Sequence, residues 1–351
     1  MIGLAYEKLD QDSSARYLAA ELPNVTRAML GGQDANIEAL VAALTTNLVD
    51  AAKAAFYGLR SRQTVLLVGP NGVGKTLMAR IAAAEITRLS GNACRVFIVK
   101  PAEWEAPYVG ETQANIRQCF KALHAAAQQG PTLLFLDEVE AVGRVRGDAV
   151  GHHSDKFLGA VLAEMDGFSD RGNVAILAAT NRKDLLDPAF LERLSDLEID
   201  VRRPDREGAR QIFSIHLPAP LPFTAGPESR PTLIQSAVSQ LYSPNADNQL
   251  ATLRFRDGKT RSVLAYELMS GRTIAQICRA ACQSAFLRDL RGGAPGLRGS
   301  DIDDAVARSI QRLSTTLSPR NIRAYLSDLP QDADVVAIDP VVRRVPRPHH
   351  Y

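Results

Sequence analysis

Short apolar runs separated by longer helical stretches mark the first part of the chain. A polar stretch over 1–25, broken near its end by Pro23, reads as a linker. Ile37, Leu40, Val41, Leu44 and Leu48 then recur at helical spacing, which predicts helix within 31–60. Runs rich in Val, Ile and Leu follow at Thr64–Val68, 93–99, Thr132–Leu136, 174–179 and 197–201, with helical patterns between them. Runs this short and this apolar suit strands buried on both faces, as in a parallel sheet covered by helices. The expectation is an α/β fold built on five strands.

The pattern changes near 202–205. Residues 207–217 read as a helix, after which Pro218, Pro220, Pro222 and Pro227 interrupt the chain, and a second helix follows over 233–242. The segments 250–255 and Thr260–Leu264 flank Asp257-Gly258, a strong hairpin signal. Two more helices, 273–290 and 300–313, are joined by a loop rich in Gly and Pro, and the tail after Pro330 shows little pattern. The organisation expected is an extension over 1–25, a nucleotide-binding α/β domain over 26–204, a smaller helical lid with a hairpin over 205–330, and a tail over 331–351.

Composition narrows the function classes. The chain has 351 residues, 46% hydrophobic and 23% charged, as expected of an ordinary globular protein. A net charge of +2 gives no global field to recruit nucleic acid or an anionic membrane, so neither is expected as a partner. Glu7, Lys8, Asp10 and Asp12 deny the N-terminus the apolar core of a signal peptide, and no apolar run approaches the roughly 20 residues that span a bilayer. A cytoplasmic protein is expected. The cysteines (Cys94, Cys119, Cys278, Cys282) form no disulfide framework; Cys278 and Cys282, four apart without a second pair, read as buried apolar residues and not as metal ligands.

The chemistry is concentrated in three places. Gly69-Pro70-Asn71-Gly72-Val73-Gly74-Lys75-Thr76 fits the phosphate-loop pattern in full, directly after one predicted strand and before a helix that Leu77 continues. Glycines let the backbone curl so that N–H groups face the β-phosphate at the helix's positive end. Lys75 then reaches the β- and γ-phosphates, and the Thr76 hydroxyl ligates Mg²⁺. The run 133–136 ends in Asp137 and Glu138, an acidic pair that is costly at the end of a buried strand unless it meets a cation or water. Asp137 is expected to hold Mg²⁺ through water, and Glu138 to polarise the attacking water. Asn181, closing the strand that starts at 174, is placed to orient water or sense the γ-phosphate, although Asn commonly ends strands.

Together these motifs resemble the AAA-type members of the AAA+ ATPases. Leu30-Gly31-Gly32-Gln33 is similar to the segment that passes beside the adenine, which implicates Gly32. Met165-Asp166-Gly167-Phe168 resembles the inter-subunit signalling motif, Ala179-Thr180-Asn181-Arg182 the sensor 1 strand, and 186–191 the segment leading to the arginine fingers. His216, closing Ile212-Phe213-Ser214-Ile215-His216, matches a histidine near the ribose and base. Tyr108-Val109-Gly110-Glu111-Thr112, with Ser270-Gly271 and the hairpin, is closer still to the bacterial proteasome-associated ATPases. The resemblance implies a hexameric ring, or a mixed ring with a longer relative, that binds ATP and Mg²⁺ at subunit interfaces and acts on protein substrates. It implies that Tyr108, with Val109 beside it, grips an extended polypeptide, where the residues alone would also fit a core tyrosine; 146–153 would form a second pore loop.

Departures from the family pattern qualify this expectation. The segment Leu191-Glu192-Arg193-Leu194-Ser195 has one arginine where two are usual, leaving Arg193 as the best remaining finger acting in trans, where the residue alone would also fit a solvated charge at a helix end. Arg272 stands where the AAA subgroup usually carries alanine, and fits either a γ-phosphate contact or a surface charge. The relatives' N-terminal coiled coil and β-barrel domains find no match in the sequence. The end His349-His350-Tyr351 differs from the hydrophobic–Tyr–any tripeptide that docks into a proteasome core. The function expected is ATP-driven protein unfolding by a ring; the alternative is a non-catalytic, nucleotide-gated assembly or adaptor subunit.

Overall fold

The computed structural model describes residues 25–59, 64–106, 110–141, 151–166, 173–326, 329 and 334–341, with the main chain alone at 151–155 and 324. These divide into two compact units: one runs to Val201, and the other takes the chain from Arg202 onward together with the short segments Leu30–Gly32 and Asn71–Val73.

In the first unit the elements run α1 (Asp34–Leu48), α2 (Ala51–Phe56), β1 (Thr64–Val68), α3 (Lys75–Ser90), β2 (Arg95–Val99), α4 (Glu111–Ala127), β3 (Thr132–Leu136), α5 (Gly151–Asp166), β4 (Val174–Thr180), α6 (Pro188–Leu194) and β5 (Leu197–Asp200). The strands form one sheet in the order β2-β3-β4-β1-β5, every neighbouring pair parallel. β3 and β4 lie inside the sheet and are buried along their whole length, which is why their sequences are unbroken runs of apolar or small residues. α3 buries Met78, Ile81, Ala82 and Ile86, whereas Trp104, Phe120, Phe97 and Phe157 fill a second apolar cluster. The helical pattern expected over 31–60 is broken at Asp50, whose carboxylate accepts the Lys53 N–H at 2.8 Å and starts α2 afresh.

The second unit is helical around a small sheet. α7 (Arg206–His216), α8 (Arg230–Tyr242), α10 (Gly271–Leu290) and α11 (Gly299–Thr316), with the short α9 (Ala265–Leu268) and α12 (Ile322–Tyr325), enclose a core that includes Phe213, Leu241, Leu253, Ile274 and Ile302. β6 (Gln249–Phe255) and β7 (Thr260–Leu264) form the expected hairpin, with Gly258 at φ 82° in its turn. The tail is a correction. Val335–Pro340 forms β8, antiparallel to β6, so the sheet order is β7-β6-β8. Its six residues carry little pattern of their own; the open edge of β6 supplies the partner, and ion pairs Arg254–Asp339 (2.9 Å) and Arg256–Asp334 (2.8 Å) flank it. Among the described residues no helix is long and apolar enough to cross a membrane.

Arg288 fastens the Gly/Pro-rich loop of this unit. Its guanidinium donates to Asp301 Oδ1 and to the Gly296 carbonyl, each at 2.5 Å, while Asp301 Oδ2 accepts the Arg298 N–H at 2.9 Å and so caps α11. Both side chains are mostly withdrawn from solvent, so removing one partner leaves the other's charge unmet. Asp301→Ala is expected to cost about 2–3 kcal/mol, measurable by urea unfolding, with Arg254→Ala on the exposed sheet edge costing less than about 1 kcal/mol.

Candidate functional site

The loop 69–76 is built by the strand ends beside it. β1 pairs with β4 so that Val68 lies opposite Thr180, and the Gly69 N–H continues the ladder to the Thr180 carbonyl at 3.1 Å. On the other side Val201 N–H donates to the Val68 carbonyl at 2.7 Å. A Cβ at Gly69 would stand 2.1 Å from the Val201 carbonyl oxygen, so no other residue fits there without moving β5's exit. Gly74, at φ 104°, turns the chain directly into α3. Lys75 is buried, and its Nζ donates to the carbonyls of Gly69 at 2.6 Å and Pro70 at 3.0 Å. The ammonium is thus held against the loop it is expected to share with phosphate. Leu77 follows it, half-buried in the first turn.

Thr76 and Asp137 meet: Thr76 Oγ1 donates to Asp137 Oδ2 at 3.1 Å. The Asp137 main chain is fixed by its N–H to the Val99 carbonyl (2.9 Å), and its Oδ1 accepts the Glu138 N–H (3.0 Å). Glu138 sits at φ 57°, a left-handed conformation uncommon for a residue with a Cβ. Its exposed carboxylate pairs with Lys100 Nζ at 3.2 Å, just past β2. Asn181 directly follows Thr180, half-buried at the same edge of the sheet. A hydroxyl and a carboxylate converging beside a glycine cradle are hard oxygen donors of the kind Mg²⁺ takes, and this ion uses few protein ligands when phosphate and water complete its shell. Among the described residues no three His, Cys, Asp or Glu side chains form a dedicated metal cage. Cys278 is buried as expected whereas Cys282 is only partly so, and desolvation pushes both thiols up.

Other candidates lie in the second unit. There Asn71–Val73 groups with the lid, and the Gly72 carbonyl accepts the Arg272 N–H at 3.0 Å; the Arg272 side chain is exposed. Gly32, at φ 73°, donates its N–H to Gln211 Oε1 at 2.8 Å and packs on Gly208, so closely that a Cβ on Gly32 would come within 2.9 Å of the Gly208 Cα. His216 ends α7, and partial burial, then the Arg279 cation, lower its pKa. Arg193, in the first unit, is exposed on α6; its Nε donates to Asp166 Oδ1 at 2.9 Å, and this bond raises its pKa. Tyr108, Val109, Gly167, Phe168 and residues 146–150 lie outside the described residues.

Sequence reasoning passed over Lys100, Glu140, Gln211 and Asp166 as partners of these groups. Glu140 had a signal, a third carboxylate two residues beyond Glu138. Asp166 had one too, in the segment that resembles the inter-subunit signalling motif; Lys100 and Gln211 had none, since their pairings join distant segments.

Residues 65–203 match the family described as ATPase family associated with various cellular activities (AAA), and residues 204–321 match the ARC, AAA+ ATPase lid domain. The chain carries an AAA ATPase domain followed by an ARC-type lid. Relatives named AAA ATPase forming ring-shaped complexes, from Corynebacterium efficiens and Corynebacterium diphtheriae, are 33% and 34% identical to it over 316 and 310 residues. Those alignments cover 88% and 87% of this chain but 59% and 60% of the relatives. A proteasome-associated ATPase of Acidimicrobium ferrooxidans is 29% identical over 339 residues, covering 90% of this chain and 58% of its own length. The chain thus spans about three fifths of the length of the curated relatives it matches.

Two substitutions check the loop as an AAA nucleotide site. Lys75→Met removes the buried ammonium at similar volume and should weaken binding of a fluorescent ATP analogue at least about tenfold, with thermal stability little changed. Gly69→Ala should instead lower stability and binding together, because the added methyl collides with main chain.

Proposed function

We propose that this chain binds MgATP in the loop 69–76 and hydrolyses it within a ring, a homo-hexamer or a mixed ring with a longer relative, to drive remodelling of protein substrates. The observation that carries this reading is the 3.1 Å bond from Thr76 Oγ1 to Asp137 Oδ2, with Glu138 the next residue. It joins the phosphate loop to the strand that presents both carboxylates. Bound there, Mg²⁺ would neutralise charge developing on the phosphates. Lys75 would bind the β- and γ-phosphates, Glu138 would take a proton from the attacking water, and Asn181 would orient that water against the γ-phosphate. Glu138 then has to part from Lys100, an exposed pair that costs little to break.

Arg193 completes the reading from a neighbouring subunit. It is exposed and cationic on α6, and Asp166 orients it. Gly32 and His216 are assigned to the nucleotide by the resemblance, and Arg272, which departs from it, is proposed as a γ-phosphate contact; the close packing of Gly32 on Gly208 supports a role for the first as a flat surface. The names of the relatives support ring assembly. Tyr108 and Val109 are proposed to contact the polypeptide. Coupling to a proteasome core is not part of the proposal.

Size analysis with ATP and Mg²⁺ should find Glu138→Gln trapped in rings that the unsubstituted chain forms transiently. Glu138→Gln and Arg193→Ala should each hydrolyse ATP at least about a hundredfold more slowly than wild type. Mixed, the two should recover turnover, because an intact Glu138 site then meets a neighbour's intact Arg193. Rings without turnover in the unsubstituted chain would leave an assembly subunit as the reading, and recovery failing in stable mixed rings would remove Arg193 from the site.

A further inference from the structure

Thr180 lies at the edge of the site, directly before Asn181. It is completely buried, and its hydroxyl donates to Glu140 Oε2 at 2.8 Å while accepting the Arg182 N–H at 3.0 Å. Its carbonyl accepts the Gly69 N–H at 3.1 Å. One residue therefore joins three segments: its side chain links the turn Val139–Ala141 that follows the acidic pair to the corner holding Asn181, and its carbonyl holds the start of the phosphate loop. A buried hydroxyl must find partners, and a bond to a carboxylate is stronger than one between neutral groups. The two bonds also set the direction of its proton, since the Arg182 N–H can only donate and the carboxylate takes the hydroxyl hydrogen.

The spacing gives this bond its meaning. Glu140 is two residues beyond Glu138, and Thr180 is one residue before Asn181. The turn carrying Glu140 is closed by the Ala141 N–H to the Glu138 carbonyl at 3.0 Å, so the backbone of Glu138, held at φ 57°, is part of the same turn. Val139 is fully buried beneath it. A shift of the Glu140 carboxylate moves the turn under Glu138, and release of Thr180 Oγ1 frees the Arg182 N–H and the corner around Asn181. Arg182 is held on its other side by Asp184, its Nη2 2.8 Å from Oδ2.

We propose that Glu140 is a positioning residue for this site: through its bond to Thr180 it fixes the separation between Glu138 and Asn181. This rests on the proposed roles of those two groups and goes beyond them in naming what sets their distance. Glu140 need touch neither nucleotide nor water. It serves the γ-phosphate end of the site, so its loss should affect discrimination of triphosphate from diphosphate and leave diphosphate binding alone.

Binding and turnover are measured separately on the full chain. In a Glu138→Gln background, ATPγS and ADP compete against a fluorescent ADP analogue. Glu140→Ala and Thr180→Val should each lower the preference for ATPγS over ADP at least about threefold, with ADP affinity unchanged. Glu140→Gln keeps an oxygen that accepts the Thr180 hydrogen, and Thr180→Ser keeps the hydroxyl; both should retain the preference. The pair Glu140→Ala with Thr180→Val should lose no more than either alone, because both remove one bond. With Glu138 intact, kcat should fall about tenfold to a hundredfold, with KM rising no more than the loss of triphosphate affinity.

A parallel loss of ADP affinity, multiplying losses in the double variant, or a preference unmoved by Glu140→Ala and Thr180→Val overturns the proposal. So does an unsubstituted chain with no preference for ATPγS over ADP. The hydrolysis reading fails in a different way, as a chain that discriminates the two nucleotides and loses that discrimination with Glu140→Ala, yet turns over no ATP.

Discussion

The parallel pairing of β1 with β4 is the constraint from which the candidate site follows. With Val68 set opposite Thr180, the chain leaves both strands at the same edge of the sheet, one into the glycine loop and the other into Asn181. β3, on the far side of β4, ends at that edge with Asp137 and Glu138. Parallel strands all release their carboxyl ends on one side, so polar residues far apart in sequence are gathered there without any of them having to fold the sheet. The apolar runs hold the strands, and the residues just past them are left for chemistry.

That division explains what could be read from the sequence. The strands and the hairpin were legible because burial on both faces, and a turn that needs glycine, write themselves into local composition. Gly69, Gly72, Gly74, Lys75 and Thr76 were legible because one short segment carries the whole device, and its bond to Asp137 joins two motifs already singled out. The helix break at Asp50 was not, since a capping carboxylate is one polar residue among many. Nor was β8, whose strand character is supplied by β6, 85 residues earlier at the Arg254–Asp339 contact. Glu140 is marked in the sequence only as a third carboxylate beside the pair; the fold shows that it faces a buried hydroxyl.

The charged groups around the site divide by what holds them. Lys75 is buried against main-chain carbonyls, with no rotamer freedom left to lose when an anion arrives. Glu138, Lys100, Arg193 and Asp166 sit in exposed ion pairs, which screening makes cheap to exchange. On the proposed reading the binding group is held rigid, while the groups proposed to react sit in pairs that exchange cheaply.

The strand that closes the lid's small sheet has a consequence for biosynthesis. β6 pairs with β7 across a tight turn, so that hairpin can form as soon as it leaves the ribosome. The opposite edge of β6 must wait for β8, until nearly all the described chain has been made. Until then an unpaired edge is open to whatever extended segment comes near, including a neighbouring nascent copy. β8 acts as a seal that this sheet receives last, and a chain stopped short of it would keep the β6 edge open to strand exchange.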